Sequence, residues 1–164
     1  MLVQPLTGSH NRQGFDCGRA ELNSWLKQVA RQHQDKGLSK TFVAVQDAAP
    51  ERICGFYALT LAELDHTHLP AHWRKKLPRR IPGVRLGRLA VDRADQGKKL
   101  GELLLIDALR RARRIYDDAG GMGLFVDALD AQAAGFFRQF GFDSSPDQPL
   151  LLFLPMTCQA WGPA

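Results

Sequence analysis

Residues 86–113 read LGRLAVDRADQGKKLGELLLIDALRRAR, and the alternation of apolar and polar positions in this stretch sets the reading of the whole chain. Leu86, Leu89, Ala90 and Val91 form an apolar run of strand character, and a polar turn, Gln96-Gly97-Lys98-Lys99-Leu100-Gly101, follows it. From Leu100 onward Leu103, Leu104, Ala108, Ala112 and Ile115 recur at helical spacing. Strand, glycine turn and helix together make an anion seat. A helix N-terminus leaves backbone N–H groups unpaired and carries about half a positive charge, and glycine lets the backbone come close to a ligand. Taken alone, the pattern fits a phosphate site and a plain tight connection equally.

Outward from this centre, Leu2 to Leu6 reads as a first strand. Phe15 and Asp16 introduce a helix carrying Leu22, Trp25, Leu26, Val29 and His33 on one face, with Asp16 as expected N-cap and Gly37 as stop. Trp25 is expected in the core. Thr41 to Val45 and Ile53 to Leu61, separated by a polar turn, predict an antiparallel hairpin. Tyr57 in its second strand has two readings, a hydroxyl facing a cleft or a hydrogen-bonded core tip. On the other side, Gly120 and Gly121 end the long helix and Leu124 to Leu129 predicts a strand. Asp130 can cap a helix over Ala131 to Phe140 that stops at Gly141, and Leu150 to Met156 closes the sheet. The order β, α, β, β, β, α, β, α, β predicts an α/β protein with a mixed sheet flanked by helices.

With 164 residues and 45% hydrophobic content, one domain over residues 1–164 is expected. A net charge of +5 favours a polyanionic partner. Two cationic clusters could serve it. In LPAHWRKKLPRRIP, Trp73 stands among Arg74, Lys75, Lys76, Arg79 and Arg80, which reads either as a solvated loop or as an RNA grip with a stacking aromatic. Arg110, Arg111, Arg113 and Arg114 crowd the long helix beyond what its C-terminal dipole calls for. His66, His68 and His72 lack a carboxylate or cysteine to complete a metal set, so no metal is expected. Cys17, Cys54 and Cys158 show no CxxC spacing and read as reduced, mostly buried thiols. With no leader-like start and no apolar run near the roughly 18 residues of a membrane helix, a soluble cytoplasmic protein is expected.

The turn resembles motif A of the GNAT superfamily of N-acetyltransferases, whose Gln/Arg-x-x-Gly-x-Gly/Ala sequence cradles the pyrophosphate of acetyl-coenzyme A. Gln96, Leu100 and Gly101 fit, and Lys99 stands where the middle glycine belongs. The resemblance extends along the chain and is most specific to the acetyltransferase toxins of type II toxin-antitoxin systems. It is carried by FDCGRAELNSWL (15–26), KTFVAV (40–45) with GFYALT (55–60), LGRLAVDRADQGKKLG (86–101) and VDALDAQAAGFFRQFGF (126–142).

The resemblance implies acetyl transfer from acetyl-CoA to the α-amine of aminoacyl-tRNA, a block of translation, a small DNA-binding antitoxin as partner, and a homodimer. It puts the acetyl carbonyl on backbone N–H groups at Leu89, Ala90 and Val91. It puts the pyrophosphate on Gln96, Gly97, Lys98, Lys99, Leu100 and Gly101 with Glu102 behind, and further coenzyme contacts at Asp130 and Phe136. Arg74, Lys75, Lys76, Arg79, Arg80, Arg110 and Arg114 are the candidates for tRNA.

An aminoacyl amine, with a pKa near or below about 7.7–8.0, is partly neutral at pH 7, so the reaction needs no strong base. Glu63 and Asp65 are the only weak candidates for one. In the family pattern a Phe-Tyr pair precedes the final Gly-Phe, and the tyrosine protonates the departing thiolate. Here the pair is Phe136-Phe137, which has no proton to give. Two accounts fit Phe137: a deliberate exchange that disarms the chain while keeping its packing, or a natural sequence in which water or Tyr57 supplies the proton or catalysis is lost. Other readings are an acetyltransferase of small amines or proteins, and a catalytically silent binding protein of the same fold.

Overall fold

The computed structural model describes residues 1–75 and 77–156, so Lys76 and Cys158 lie outside the described residues. The elements are β1 (Leu2–Pro5), α1 (Ala20–Gln28), α2 (Ala30–Asp35), β2 (Lys40–Val45), β3 (Gly55–Asp65), α3 (Ala71–Arg74), β4 (Arg80–Val91), α4 (Leu100–Ala119), β5 (Gly123–Asp127), α5 (Ala131–Gln139), β6 (Asp143–Ser144) and β7 (Leu151–Pro155). The strands make one mixed sheet in the order β1-β2-β3-β4-β5-β7-β6. β4 and β5 are parallel, whereas β1/β2, β2/β3, β5/β7 and β6/β7 are antiparallel. The mixed α/β sheet expected from the element order is therefore present.

Two compact units divide the chain: Met1–Thr60 with Gly87–Ala108, and Leu61–Leu86 with the chain from Leu109 on. In the first, Leu6, Phe15, Leu22, Leu26, Val43, Val45, Ile53, Phe56 and Ala90 form a core, with Trp25 packed against it. Trp25 stacks on Phe56 at 6.1 Å and lies under the Arg88 guanidinium at 5.0 Å, as the core reading of that tryptophan expected. In the second, Leu64, Leu69, Ile81, Phe125, Leu151 and Phe153 form the core, and Trp73 and Leu77 pack onto it.

The first helix departs from its sequence reading. Asp16 is not its N-cap: its Oδ1 accepts from the Gly18 N–H and the Asn23 amide, which makes a turn with Gly18 at φ +88°. The helix begins at Ala20 and breaks at Val29. The left-handed Gly18 forces this delay, since a residue at positive φ cannot sit inside a right-handed helix. β4 starts at Arg80, earlier than its apolar run suggests, because alternating burial, at Ile81 and Gly83 and then at Val84 and Leu86, carries the strand through polar positions. Gly37 (φ +73°), Gly120 (φ +86°) and Gly141 (φ +90°) end helices as read.

Close backbone approach in the second unit requires glycine at two strand positions. A Cβ on Gly123 would run into the Phe153 ring and stand 2.5 Å from the Leu154 carbonyl oxygen, and one on Gly83 would meet the Phe125 ring. Gly123→Ala is expected to destabilise the protein by about 2–3 kcal/mol through overpacking, read as a lower urea midpoint with the slope unchanged.

Candidate active site

The registered pairs of β4 with β5 stop at Leu86 with Val126, while β4 continues to Val91. Along that extension Leu89 and Val91 are half-buried and Ala90 is buried. Gly55 makes the neighbourhood possible, since a Cβ there would stand 3.0 Å from the Ala90 carbonyl oxygen and 2.8 Å from Leu104.

After β4 the chain bends sharply. Asp92 accepts from the Ala94 N–H at 3.0 Å and so caps one 3-10 turn, Arg93–Asp95. Gln96 then uses its side-chain amide as a brace, donating to the Cys17 carbonyl at 3.1 Å and the Val91 carbonyl at 2.9 Å. Gly97 (φ +79°) and Lys99 (φ +62°) are left-handed, and α4 opens at Leu100 with Glu102 in its first turn. Gly97, Lys98 and Lys99 are exposed, and a Cβ added to Gly97 would meet nothing within 4 Å. Two cations, an open backbone and the unpaired N–H groups of a long helix suit a diphosphate.

In the other unit, Asp130 accepts from the Ala133 N–H at 2.8 Å and caps α5, as its position in the sequence suggested. Phe137 is buried in an aromatic cluster, 5.2 Å from Phe136 and 5.5 Å from Phe142, both edge-on. Phe136 is only half-buried.

Tyr57 is fully buried and donates to Asp107 at 2.5 Å, which favours the core reading of this residue. Trp73 is half-buried and has partners within the protein. Its ring meets Phe153 edge-on at 6.4 Å and its indole N–H donates to Asp143 at 3.3 Å.

The cations sort by their partners. Arg79 pairs with Asp65 at 3.2 Å, Arg80 with Glu63 at 3.3 Å and Arg113 with Asp117 at 3.1 Å. Among the described residues, Arg74, Lys75, Arg110 and Arg114 are exposed and no ion pair neutralises them. Arg110 and Arg114 stand one helical turn apart on α4.

Asp65 makes a poor base. The Thr67 N–H first, and Arg79 after it, pull Asp65 down to about 2, while Glu63 is tied to Arg80. The three histidines go separate ways: His66 faces the Pro78 carbonyl, His68 pairs with Asp147 at 3.2 Å, and His72 lies against Trp73. Cys17 and Cys54 are buried free thiols whose pKa values burial raises, as read for these two.

Residues 37–144 match the acetyltransferase (GNAT) domain. The chain belongs to the GNAT acetyltransferase family. It is 37% identical over 142 residues to the tRNA-acetylating toxin of Mycobacterium tuberculosis, covering 87% of this chain and 84% of that protein. It is similar to the solved structure of AtaT complexed with acetyl-methionyl-tRNAfMet, with a TM-score of 0.87, 31% identity and 95% of both chains covered. It is also similar to a tyrosine-to-phenylalanine mutant of the AtaT toxin bound to the C-terminus of the antitoxin AtaR and acetyl-CoA. There the TM-score is 0.78 at 29% identity, over 95% of this chain and 93% of that one.

Against the GNAT turn, the backbone geometry resolves the Lys99 departure. Lys99 is the one described non-glycine residue at positive φ, at the position where the motif carries glycine. The left-handed turn is kept and a cation is added to it. Residues that bear on this site but escaped the sequence reading are Arg52, Asp92 and Asp95. The Asp-x-x-Asp spacing before the turn was a usable signal, and Arg52 had none.

A left-handed non-glycine residue costs about 1–2 kcal/mol, and a β-branched side chain costs more. Lys99→Gly is therefore expected to hold or slightly raise the melting temperature, while Lys99→Val lowers stability by about 1–2 kcal/mol. Asp65 gives a pH test. A carboxyl depressed from 3.8 to about 2 contributes above the first value and is lost as pH falls through the second. The Thr67 amide resonance is expected to stay put from pH 7 to about 4 and to move as pH falls through about 2.

Proposed function

We propose that this chain acts as a single acetyltransferase domain over residues 1–164, moving the acetyl group of acetyl-CoA to the α-amine of aminoacyl-tRNA and so blocking translation. The observation that carries the reading is the left-handed, lysine-bearing turn at Gln96–Gly101 in a chain so similar to AtaT, which has been solved with an acetylated aminoacyl-tRNA.

Acetyl-CoA supplies the activated thioester. Around it, backbone N–H groups of Leu89, Ala90 and Val91, where β4 outruns its registered pairing with β5, receive the carbonyl oxygen. Gly97 to Gly101 hold the pyrophosphate through N–H groups and the Lys98 and Lys99 side chains, Gln96 braces the turn, and Glu102 stands behind it. Asp130 fixes the start of the helix that carries Phe136, and both are proposed as coenzyme contacts from the family resemblance.

The acceptor amine is neutral enough at pH 7 to attack unaided, since an α-amine titrates near about 7.7–8.0. The low pKa of Asp65 agrees with this, because a lysine acceptor near about 10.4 would need a base that Asp65 cannot be. Arg110, Arg114, Arg74 and Lys75 carry the RNA backbone, and Arg79 and Arg80 contribute less because carboxylates already hold them.

Phe137 stands where the family places its proton-donating tyrosine, so the chain as written transfers slowly. The partners are charged tRNA, an antitoxin and a second copy of the chain, in the cytoplasm where charged tRNA is found. No helix among the described residues is long and apolar enough to cross a membrane. The second reading, a silent GNAT that binds without chemistry, rests on Phe137 and on Lys99 in the place of the motif glycine.

Transfer of labelled acetyl from acetyl-CoA to bulk charged tRNA separates these readings. Phe137→Tyr is expected to label tRNA roughly a hundredfold faster than the present chain, the lower end of what a positioned acid contributes. If neither labels tRNA while both bind acetyl-CoA, the substrate is wrong. Arg110→Glu with Arg114→Glu is expected to weaken tRNA binding and lower its salt slope by about one per lost phosphate contact. Acetyl-CoA affinity stays unchanged in that variant.

A further inference from the structure

Asp92 and Asp95 are buried, 8% and 4% exposed, at the end of β4 and immediately before the phosphate turn. Carboxylates so placed would repel a diphosphate and draw nearby cations onto themselves. Asp92 is satisfied through N–H groups: Oδ1 by Ala94 and Oδ2 by Asp16 at 3.1 Å. Among the described residues, no such N–H group covers the Asp95 carboxylate. Its charged partners are Arg52, whose guanidinium donates to Oδ2 at 2.7 Å, and Lys98, whose ammonium stands 3.8 Å from Oδ1, with the Cys54 thiol beside them.

Arg52 comes from the β2–β3 hairpin and reaches both acids, with Asp92 at 3.4 Å. The hairpin turn is pinned there by Asn11 donating to the Glu51 carbonyl at 2.7 Å, and Cys54 accepts the Asp92 N–H at 2.8 Å. Arg52 thus rests on a scaffold that also fixes where the turn begins.

We infer that Arg52 is the positioning residue of the pyrophosphate turn, taking the close 2.7 Å pairing with Asp95 so that the exposed Lys98, held to that carboxylate only at 3.8 Å, can leave it for phosphate together with the turn's N–H groups. Without Arg52, Lys98 is the one remaining side-chain cation within ion-pair reach of Asp95 among the described residues, and its present 3.8 Å pairing is expected to tighten. The turn then offers the coenzyme one lysine fewer and one bare carboxylate more. This rests on the reading that Gln96–Gly101 bind the pyrophosphate.

The test compares two ligands that share the thioester arm, acetyl-CoA and acetyl-pantetheine, which has no phosphate, by NMR titration of the full chain. Arg52→Gln is expected to weaken acetyl-CoA about tenfold and to leave acetyl-pantetheine within about twofold, with Arg52→Lys recovering much of the loss. Adding Asp95→Asn to Arg52→Gln removes the uncovered carboxylate and is expected to restore acetyl-CoA binding, a rescue that a purely structural role would not give. Equal weakening of both ligands, or no rescue by Asp95→Asn, overturns the inference. If the unaltered chain binds acetyl-CoA no more tightly than acetyl-pantetheine, the pyrophosphate reading itself fails and takes the inference with it. Should Arg52→Gln not fold, the Arg52→Lys and double variants still decide between these outcomes.

Discussion

Two carboxylates lie nearly out of water where β4 hands the chain to α4, and the protein must compensate each of them. A buried charge without partners costs several kcal/mol, so the segments that supply the partners are constrained to meet there. The N-terminal segment brings the Asp16 N–H to Asp92, the hairpin brings Arg52 to both acids, and the chain beyond brings the Ala94 N–H and Lys98. Three stretches far apart in sequence thereby agree on the position of one short turn.

That agreement makes a left-handed Lys99 tolerable. A residue held at φ +62° without glycine persists only when its surroundings over-determine the backbone. Here Asp92 caps the preceding 3-10 turn, Gln96 ties the chain to two carbonyls, and α4 begins directly afterwards. The family's glycine makes the conformation easy. This chain obtains it by bracing and gains a cation at the same spot.

The strand–turn–helix centre was legible because its signals are local: an apolar run, left-handed turn residues and a helical stripe within thirty residues. The cap at Asp130 and the stops at Gly37, Gly120 and Gly141 were legible for the same reason. Asp16 failed as a cap because the same side chain can close an Asx turn, and the left-handed Gly18 decides between the two. Trp73 read either as part of a solvated loop or as a stacking aromatic among cations, and the sequence could not show that its ring meets Phe153, eighty residues away. Arg52 was illegible for a similar reason, since its partners lie 40 and 43 residues on. Periodicity reports which face of an element is buried and is silent on what crosses between elements.

The proton inventory bounds what Phe137 can do. Forming an amide from a neutral amine and a thioester releases one proton from nitrogen, and one proton is needed at the departing sulfur. An ordinary thiol titrates near about 8.5, so a thiolate is a tolerable leaving group at pH 7 even without a donor. Under the proposed function, a phenyl ring in place of the donor is therefore expected to slow the step without forbidding it. The ring also leaves the site's packing intact, because Phe137 sits edge-on to Phe136 and Phe142, and that contact uses the ring face and edge alone. A hydroxyl added at this position must find a polar partner once buried, or it costs about 1–3 kcal/mol in stability. A tyrosine here therefore needs a polar group to accept its hydrogen bond.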